Sequence, residues 1–384
     1  MIISAHISHI DHSAEIGFPM DDDTLDVLLS ANKMPTDTTL PFLVEDIHFP
    51  AELSCLNGEY VNLDEMNYLA KRLDSFTEAE MEQFGIAVDK TDAKDMKDLI
   101  NLTFNLNKFT IIKNVGDMAE VGREYKLNRE GSVPVDPSFD DEFAAIGRKL
   151  LGSGRGIFTE HGLLFIEDEP IEEVYDGQVF PFYWYEPSVV DLRLDYDGKS
   201  EMVQLPDSDL AIQKAIRRLG APAIGFCDYE CNVENPQYSC LDDRFKTVLE
   251  NEGAVSLNAL VREIKSQEVD ADKLEAAMEM TGVSTSKNII TLINHLDELD
   301  LFTGIENGDY DEVGKQFVDH CDDYKLHDDM YDFFDFYEFG RFIAKEYDGQ
   351  FTSHGFICYS GYDTMDTITN DLEDEGGSMT MGGM

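Results

Sequence analysis

One pentapeptide occurs twice in this chain. Residues 158–162 read FTEHG, and residues 351–355 read FTSHG. Five further pairs of short matches follow the same order at nearly constant spacing: Phe18-Pro19 with Leu205-Pro206, Val61-Asn-Leu63 with Val255-Ser-Leu257, Leu99-Ile-Asn101 with Leu292-Ile-Asn294, Val121-Gly122 with Val313-Gly314, and Ile146-Gly-Arg148 with Phe339-Gly-Arg341. Ordered self-similarity of this kind indicates internal repetition. The chain is therefore predicted to contain two diverged copies of one unit.

The repeat divides the chain into four predicted segments. The first copy spans residues 1–170 and the second spans residues 188–360. Residues 171–187 contain prolines and the aromatic run VFPFYWYEP, which predicts a linker packed against folded protein. Residues 361–384 are polar, acidic and rich in Gly, as is typical of a flexible terminal segment.

The hydrophobic pattern changes twice within each copy. Strand-like alternation surrounds one helix, at residues 22–32 in the first copy and 207–219 in the second. Helices with apolar stripes follow, with Asn62 and Thr77 as predicted N-caps. A helix ending at or soon after the Gly-Arg pair and a β-hairpin containing the pentapeptide close each copy, with the Gly after His suited to a turn. The predicted fold class is α+β: an elongated tandem of two units, each with a small α/β module, a helical bundle module and an α+β module.

Charge limits the partners that the protein can have. The chain contains 79 acidic and 29 basic residues, for a formal net charge of -50, and the excess runs through both copies. Because binding to a phosphate backbone requires Lys and Arg, direct nucleic-acid binding is not expected, whereas a partner with a basic surface is. Adaptation to high salt is the alternative, but Phe, Tyr, Met and Ile are abundant and Lys outnumbers Arg, which argues against it.

The sequence also predicts a compartment. The amino terminus has neither the basic nor the apolar region of a secretory signal, and no apolar run approaches the roughly 20 residues that span a bilayer. The six cysteines are then expected to be free thiols of a reduced, cytoplasmic protein without membrane association.

Motifs for catalysis or metal binding are weak. Three histidines between residues 6 and 12 could hold zinc on a helix, but the surrounding alternation favours a strand. The cysteines between residues 227 and 240 lack C-x2-C spacing and have no counterparts in the first copy. His161 and His354 could serve a hydrolase as acid–base groups, yet no nucleophile motif accompanies them and a structural role in a turn is favoured. No catalytic residue, cofactor or metal is predicted.

Acidic residues are instead predicted to imitate phosphates. Duplex DNA carries one charge per about 1.7 Å of axis, so carboxylates spread over a protein surface can occupy a DNA-binding groove. The acidic residues are densest between 319 and 348, where a helix over residues 328–347 would align carboxylates along one face. The predicted partner-binding carboxylates are Asp21, Asp22, Asp23, Asp140, Asp141, Glu142, Asp322, Asp323, Asp328, Asp329, Asp332, Asp335 and Glu338.

These features together resemble the ArdA antirestriction family. The resemblance lies in the Phe-Pro or Leu-Pro start before a helix, the segments NLDEMNYLAKRL and SLNALVREI, and the segments DLINLTFNLNKFTII and NIITLINHLDELDLF. The acidic helix with Gly-Arg and the FT-x-HG hairpin complete it, so that it covers most of residues 1–360.

The resemblance implies a non-enzymatic inhibitor. Members of the family fold as three small modules in a curved rod, dimerise to imitate bent B-DNA, and block host type I restriction-modification enzymes by filling the DNA-binding groove. A tandem version carried by a bacterial mobile element would act in the host cytoplasm as a monomeric pseudo-dimer or a homodimer. Another DNA-binding defence system, such as a CRISPR effector, is the alternative target. A passive chaperone of basic proteins and a His-dependent hydrolase are the rival functions.

Overall fold

The fold is mixed α+β, as predicted. The computed structural model describes residues 2–320 and 324–360; the predicted flexible segment 361–384 lies outside the described residues. The chain forms two compact units, Met1–Glu186 and Pro187–Met384. The described residues form helices together with one four-stranded and three three-stranded sheets, in which neighbouring strands run antiparallel.

The first unit contains two sheets, with strand orders β2-β1-β3-β4 and β5-β7-β6. Its elements are β1 (Ile3–His9), β2 (His12–Phe18), α1 (Asp22–Ala31), β3 (Phe42–Phe49), β4 (Tyr60–Val61), α2 (Leu63–Asp74), α3 (Glu78–Thr91), α4 (Met96–Thr103), β5 (Phe109–Ile112), α5 (Met118–Glu130), α6 (Asp140–Gly152), β6 (Ile157–Thr159) and β7 (Gly162–Ile166). One core joins the first sheet to the helices α1 to α4, and a smaller one lies under α5.

The second unit has the same order of elements, without a counterpart of β4 among its described residues and with α8 and α13 added. Its elements are β8 (Val190–Tyr196), β9 (Lys199–Leu205), α7 (Asp209–Leu219), β10 (Asp228–Val233), α8 (Asp242–Glu252), α9 (Ala254–Ser266), α10 (Ala271–Thr281), α11 (Ser286–Ile293), β11 (Leu299–Phe302), α12 (Tyr310–His320), α13 (Asp328–Tyr331), α14 (Phe336–Glu346), β12 (Gln350–Thr352) and β13 (Gly355–Tyr359). Its sheets have the orders β10-β8-β9 and β11-β13-β12.

In each unit, a buried asparagine binds the backbone of the residue that follows Pro19 or Pro206, just before a helix. The Asn67 side chain donates to the Met20 carbonyl at 2.8 Å and accepts from its N–H at 3.0 Å. Asn258 makes the same pair of bonds to Asp207, at 2.7 and 3.0 Å. Because both amides are buried, each bond pair fixes the entry of α1 or α7 against the helix behind it.

The repeated pentapeptide forms a β-hairpin in both units, as predicted. Gly162 and Gly355 have φ of 140° and 129°, which L side chains rarely adopt. A Cβ at Gly162 would lie 2.6 Å from the Ile112 carbonyl oxygen, and one at Gly355 would overlap that of Phe302. Glycine is therefore required at the first residue of β7 and of β13, because the backbone there passes directly against β5 or β11.

Two of the sequence matches are out of register. Val61 lies in β4 and Leu63 begins α2, whereas Val255 and Leu257 both lie inside α9. The hydrogen bonds of Asn67 and Asn258 show that these two residues correspond, and the spacing between them is three residues shorter than the spacing of the sequence match. The match of residues 99–101 with 292–294 is displaced by the same three residues. The strands that follow, β5 and β11, begin at Phe109 and Leu299, and the spacing between these starts is three residues shorter than that of the match. Three residues are nearly one helical turn, so the displaced match keeps the same apolar face.

The linker, residues 171–187, packs against the helices of the first unit. The Asn101 side-chain oxygen accepts from the N–H groups of Val174 and Tyr175, and its amide donates to the Tyr175 carbonyl. The Tyr175 ring is fully buried, and its hydroxyl donates to Glu65 at 2.8 Å. The Asn62 side chain caps α2, as predicted, by accepting from the N–H groups of Asp64 and Glu65.

Candidate partner-binding surface

The first group of predicted carboxylates lies where α1 begins. The Asp21 side chain caps the helix by accepting from the Thr24 N–H at 2.8 Å and from its hydroxyl at 2.7 Å. These bonds lower the pKa of the Asp21 carboxyl below its ordinary value. Asp22 and Asp23 occupy the first turn, where the helix dipole favours negative charge, and Asp23 is exposed.

The second group occupies the first turn of α6. Asp140 pairs with Arg123, and Glu142 lies 4.0 Å from Lys126. Asp141 is exposed and makes no ion pair within the described residues. The three neighbouring acids thus differ: two face the cations of α5, and the third presents its charge to solvent.

The helix predicted over residues 328–347 is wrong as a single helix. It is broken between α13 and α14, because the Asp335 side chain caps α14 by accepting from the Glu338 N–H at 3.0 Å, and Phe334 and Phe336 pack together in the break. Carboxylates on either side of the break therefore do not share one helix face.

The remaining predicted carboxylates of this stretch have separate environments. Asp332 is exposed at the C-cap of α13, Asp329 lies 3.5 Å from the His327 ring, and Glu338 pairs with Arg341 at 3.1 Å. Asp328 is the first residue of α13. Asp322 and Asp323 lie outside the described residues.

Helix formation explains only some of these acids. Asp21 and Asp335 are N-caps, and a cap of this type contributes about 1 kcal/mol to stability. Asp23, Asp141 and Asp332 are exposed, and no ion pair to them is present in residues 2–320 and 324–360. Their charge is therefore available to a cationic partner.

The pentapeptide histidines tie each hairpin to the helix beside it. His161 Nδ1 lies 2.6 Å from Glu82 of α3, which also pairs with Lys113 at 2.6 Å. His354 Nδ1 lies 3.1 Å from Asp272 of α10. Each of these histidines therefore links a turn to a helix through a carboxylate.

The cysteines between residues 227 and 240 do not form a reactive or metal-binding centre in the described part of the chain. Burial raises the pKa of both Cys231 and Cys240 to about 11, so their thiols are protonated at neutral pH. No group of three potential metal ligands converges within residues 2–320 and 324–360. The histidines near the amino terminus lie on β1 and β2, and His9 faces His12 across their hairpin.

One site gave no signal in the sequence. Lys126, Arg129, Lys149 and Arg155 line a single cavity of about 370 Å³ in the first unit. They come from two helices and the segment after them, so no short motif contains them.

In the described residues, no helix combines the length and apolar character that crossing a membrane requires. No protein-family model matches the chain, and no curated protein is significantly similar to it.

Proposed function

We propose that this protein is a DNA-mimic antirestriction protein, which inhibits a host type I restriction-modification enzyme by occupying its DNA-binding groove. The observation that carries the proposal is the net charge of -50, which is spread through both copies of a chain that still builds buried cores. A fold that tolerates this self-repulsion needs a use for the charge, and a basic groove supplies one.

The described carboxylates support the proposal locally. Asp23 and Asp141 both stand in the first turns of helices, exposed and without ion pairs in the described residues, and Asp332 follows a third helix. Fixed helix ends hold these charges in place before a partner arrives. Preorganisation of this kind reduces the ordering entropy that association costs.

A matched pair of triple variants tests position against total charge. The first combines Asp23→Asn, Asp141→Asn and Asp332→Asn, which removes three exposed carboxylates. The second combines Asp89→Asn, Glu173→Gln and Asp311→Asn, whose carboxylates pair with Lys90, Lys97 and Lys315 at 2.7, 2.5 and 2.5 Å. Both variants change the net charge equally.

The assay is inhibition of DNA cleavage and methylation by a purified type I enzyme. The first variant should raise the inhibitory concentration about tenfold, because three charge contacts are lost, and the second should change it little. Equal weakening by both variants would mean that only total charge matters. That result would reject mimicry and favour a passive chaperone of basic proteins.

Two further outcomes distinguish a different target and a hydrolase from the proposed inhibitor. Inhibition of a CRISPR effector but not of a type I enzyme would move the target to another DNA-binding defence system. A double variant His161→Ala with His354→Ala should leave inhibition unchanged, since the carboxylates near these rings, Glu82, Glu160 and Asp272, are not among the predicted partner-binding carboxylates. Loss of a hydrolytic activity in that variant would instead support the hydrolase.

A further inference from the structure

A cationic cavity lies in the first unit of this strongly acidic protein. It has a volume of about 370 Å³, within the range of small-molecule sites, and is lined by α5, α6 and β7. Its charged lining residues are Lys126, Arg129, Glu130, Lys149, Arg155 and Glu167. Four cations and two carboxylates therefore line it, and two of the cations, Arg129 and Arg155, also pair with Glu169 and Asp168 outside the lining, at 3.7 and 3.0 Å.

The two carboxylates are already engaged. Glu167 accepts from the Tyr125 hydroxyl at 2.5 Å and lies 3.9 Å from Arg129, and Glu130 lies 3.5 Å from Lys126. Lys149 is exposed at the rim, and no ion pair to it is present in the described residues.

Arg155 completes the cationic rim. Its guanidinium donates to the Ile166 carbonyl at 3.1 Å and pairs with Asp168 at 3.0 Å, which fixes it beside the opening. Lys149 and Arg155 thus present positive charge at the mouth, while Leu150 and Phe165 form an apolar wall.

The second unit fills the corresponding position with an aromatic ring. Tyr125 and Phe317 are counterparts, because each lies three residues after a matched glycine, Gly122 or Gly314. Ile146 and Phe339 are counterparts, because each directly precedes a matched glycine, Gly147 or Gly340. In the second unit the Tyr324 ring lies against both of these counterparts, with ring centroids 6.1 Å from Phe317 and 5.4 Å from Phe339.

The Tyr324 hydroxyl also lies 2.7 Å from that of Tyr347. The second unit therefore supplies its own phenol where the first unit has an open cavity with cations at the rim. A flat ring lies against Phe317 and Phe339 in the second unit, and their counterparts Tyr125 and Ile146 line the cavity of the first unit. The cations of the first unit select for a negative substituent.

We infer that the cavity beneath Lys149 and Arg155 binds a small aryl carboxylate, with the ring against Tyr125 and Ile146 and the carboxylate at the cationic rim. Asp23, Asp141 and Asp332, the exposed carboxylates of the proposed DNA-mimic surface, do not line this site. Ligand binding here would make the first unit differ in function from the second.

The test compares two probes that share a phenol ring and differ in charge, 4-hydroxyphenylacetate and tyramine. Binding to the full chain is measured by saturation-transfer NMR and calorimetry. A protein of net charge -50 attracts the cation tyramine at any nonspecific site. Preference for the anion, with a Kd on the order of 1 mM for so small a ligand, would locate binding at a cationic site.

Arg148, which is next to Lys149 on α6, supplies the control. Lys149→Ala and Arg155→Ala should each weaken binding of 4-hydroxyphenylacetate about fivefold by removing a charge contact. Arg148→Ala removes an exposed cation that does not line the cavity, and it should leave binding unchanged. Equal or tighter binding of tyramine, equal loss in the Arg148 variant, or no binding of either probe would overturn the inference.

Discussion

Gly122 of α5 and Gly147 of α6 face each other where these two helices cross. A Cβ at Gly122 would overlap the Phe143 carbonyl and lie 3.1 Å from the Gly147 nitrogen; a Cβ at Gly147 would overlap the Met118 carbonyl. Gly314 and Gly340 make the same crossing between α12 and α14, against the carbonyls of Phe336 and Tyr310. Both crossings therefore bring helix backbones into direct contact, which any side chain at these positions would prevent.

Gly147→Ala is expected to destabilise the first unit. The added methyl group meets the backbone of α5, which cannot move aside as a flexible side chain can, so the loss should be about 1–3 kcal/mol. The measurement is the shift in the denaturant midpoint of unfolding. Gly152→Ala, on the same helix with open space around it, is the control and should be neutral or slightly stabilising. Equal effects of the two substitutions would contradict the close crossing.

Asn101→Ala should release the linker from the first unit. Three hydrogen bonds to Val174 and Tyr175 depend on this side chain, and burial makes their loss cost about 1–3 kcal/mol. Limited proteolysis should then cut between residues 171 and 187 much faster than in the unsubstituted protein.

Asn294→Ala is the control for the linker experiment. Asn294 was matched with Asn101 in the sequence, but it is exposed, and its side chain accepts from the Gln267 amide and not from the linker. Its substitution should leave cleavage of the linker unchanged. A linker that is cleaved at the same rate in both variants would show that Asn101 does not hold it.

Two glutamates should affect stability with opposite signs at pH 7. Hydrogen bonds from Lys113 and His161 lower the pKa of Glu82, so its charged form stabilises the fold above the ordinary value of 4.5. That contribution is lost as the pH falls through the lowered pKa. Burial raises the pKa of Glu65, so its charged form disfavours the fold at pH 7; this penalty fades as the pH falls through the raised pKa and is gone below the ordinary value of 4.5.

The corresponding variants are Glu82→Gln and Glu65→Gln. At pH 7 the first should lower the midpoint of unfolding and the second should raise it, since Gln can still accept from the Tyr175 hydroxyl. At pH 3, on the other side of the sequence pI of about 4.2, both differences should shrink. Effects of the same sign at pH 7 would refute the assigned environments.

The sequence predicted the fold best where a residue has one physical role. The glycines of the crossings and hairpins appear in the sequence matches because neither backbone contact nor positive φ tolerates substitution. The matches at Val61 and Leu99 failed because apolar residues on a helix repeat every three or four positions, which makes a displacement of one turn look correct. The strands β5 and β11 were not predicted, because their pairing partners, β7 and β13, lie far along the chain.

The candidate surface was less predictable than the fold. Whether an aspartate caps a helix or faces solvent depends on the residue at which the helix begins, as Asp335 shows by ending the single helix expected over residues 328–347. The cavity beneath Lys149 depends on tertiary packing of α5, α6 and β7, for which the separate basic residues carry no sequence pattern.

Competition with DNA tests the central claim most directly. A fluorescent duplex bound to the purified methyltransferase core of a type I enzyme is titrated with the protein at several salt concentrations. Mimicry predicts complete displacement of the duplex, with a protein affinity that falls steeply as salt rises because charged surfaces are brought together. Inhibition without displacement of the duplex, or an affinity that does not change with salt, would contradict the account.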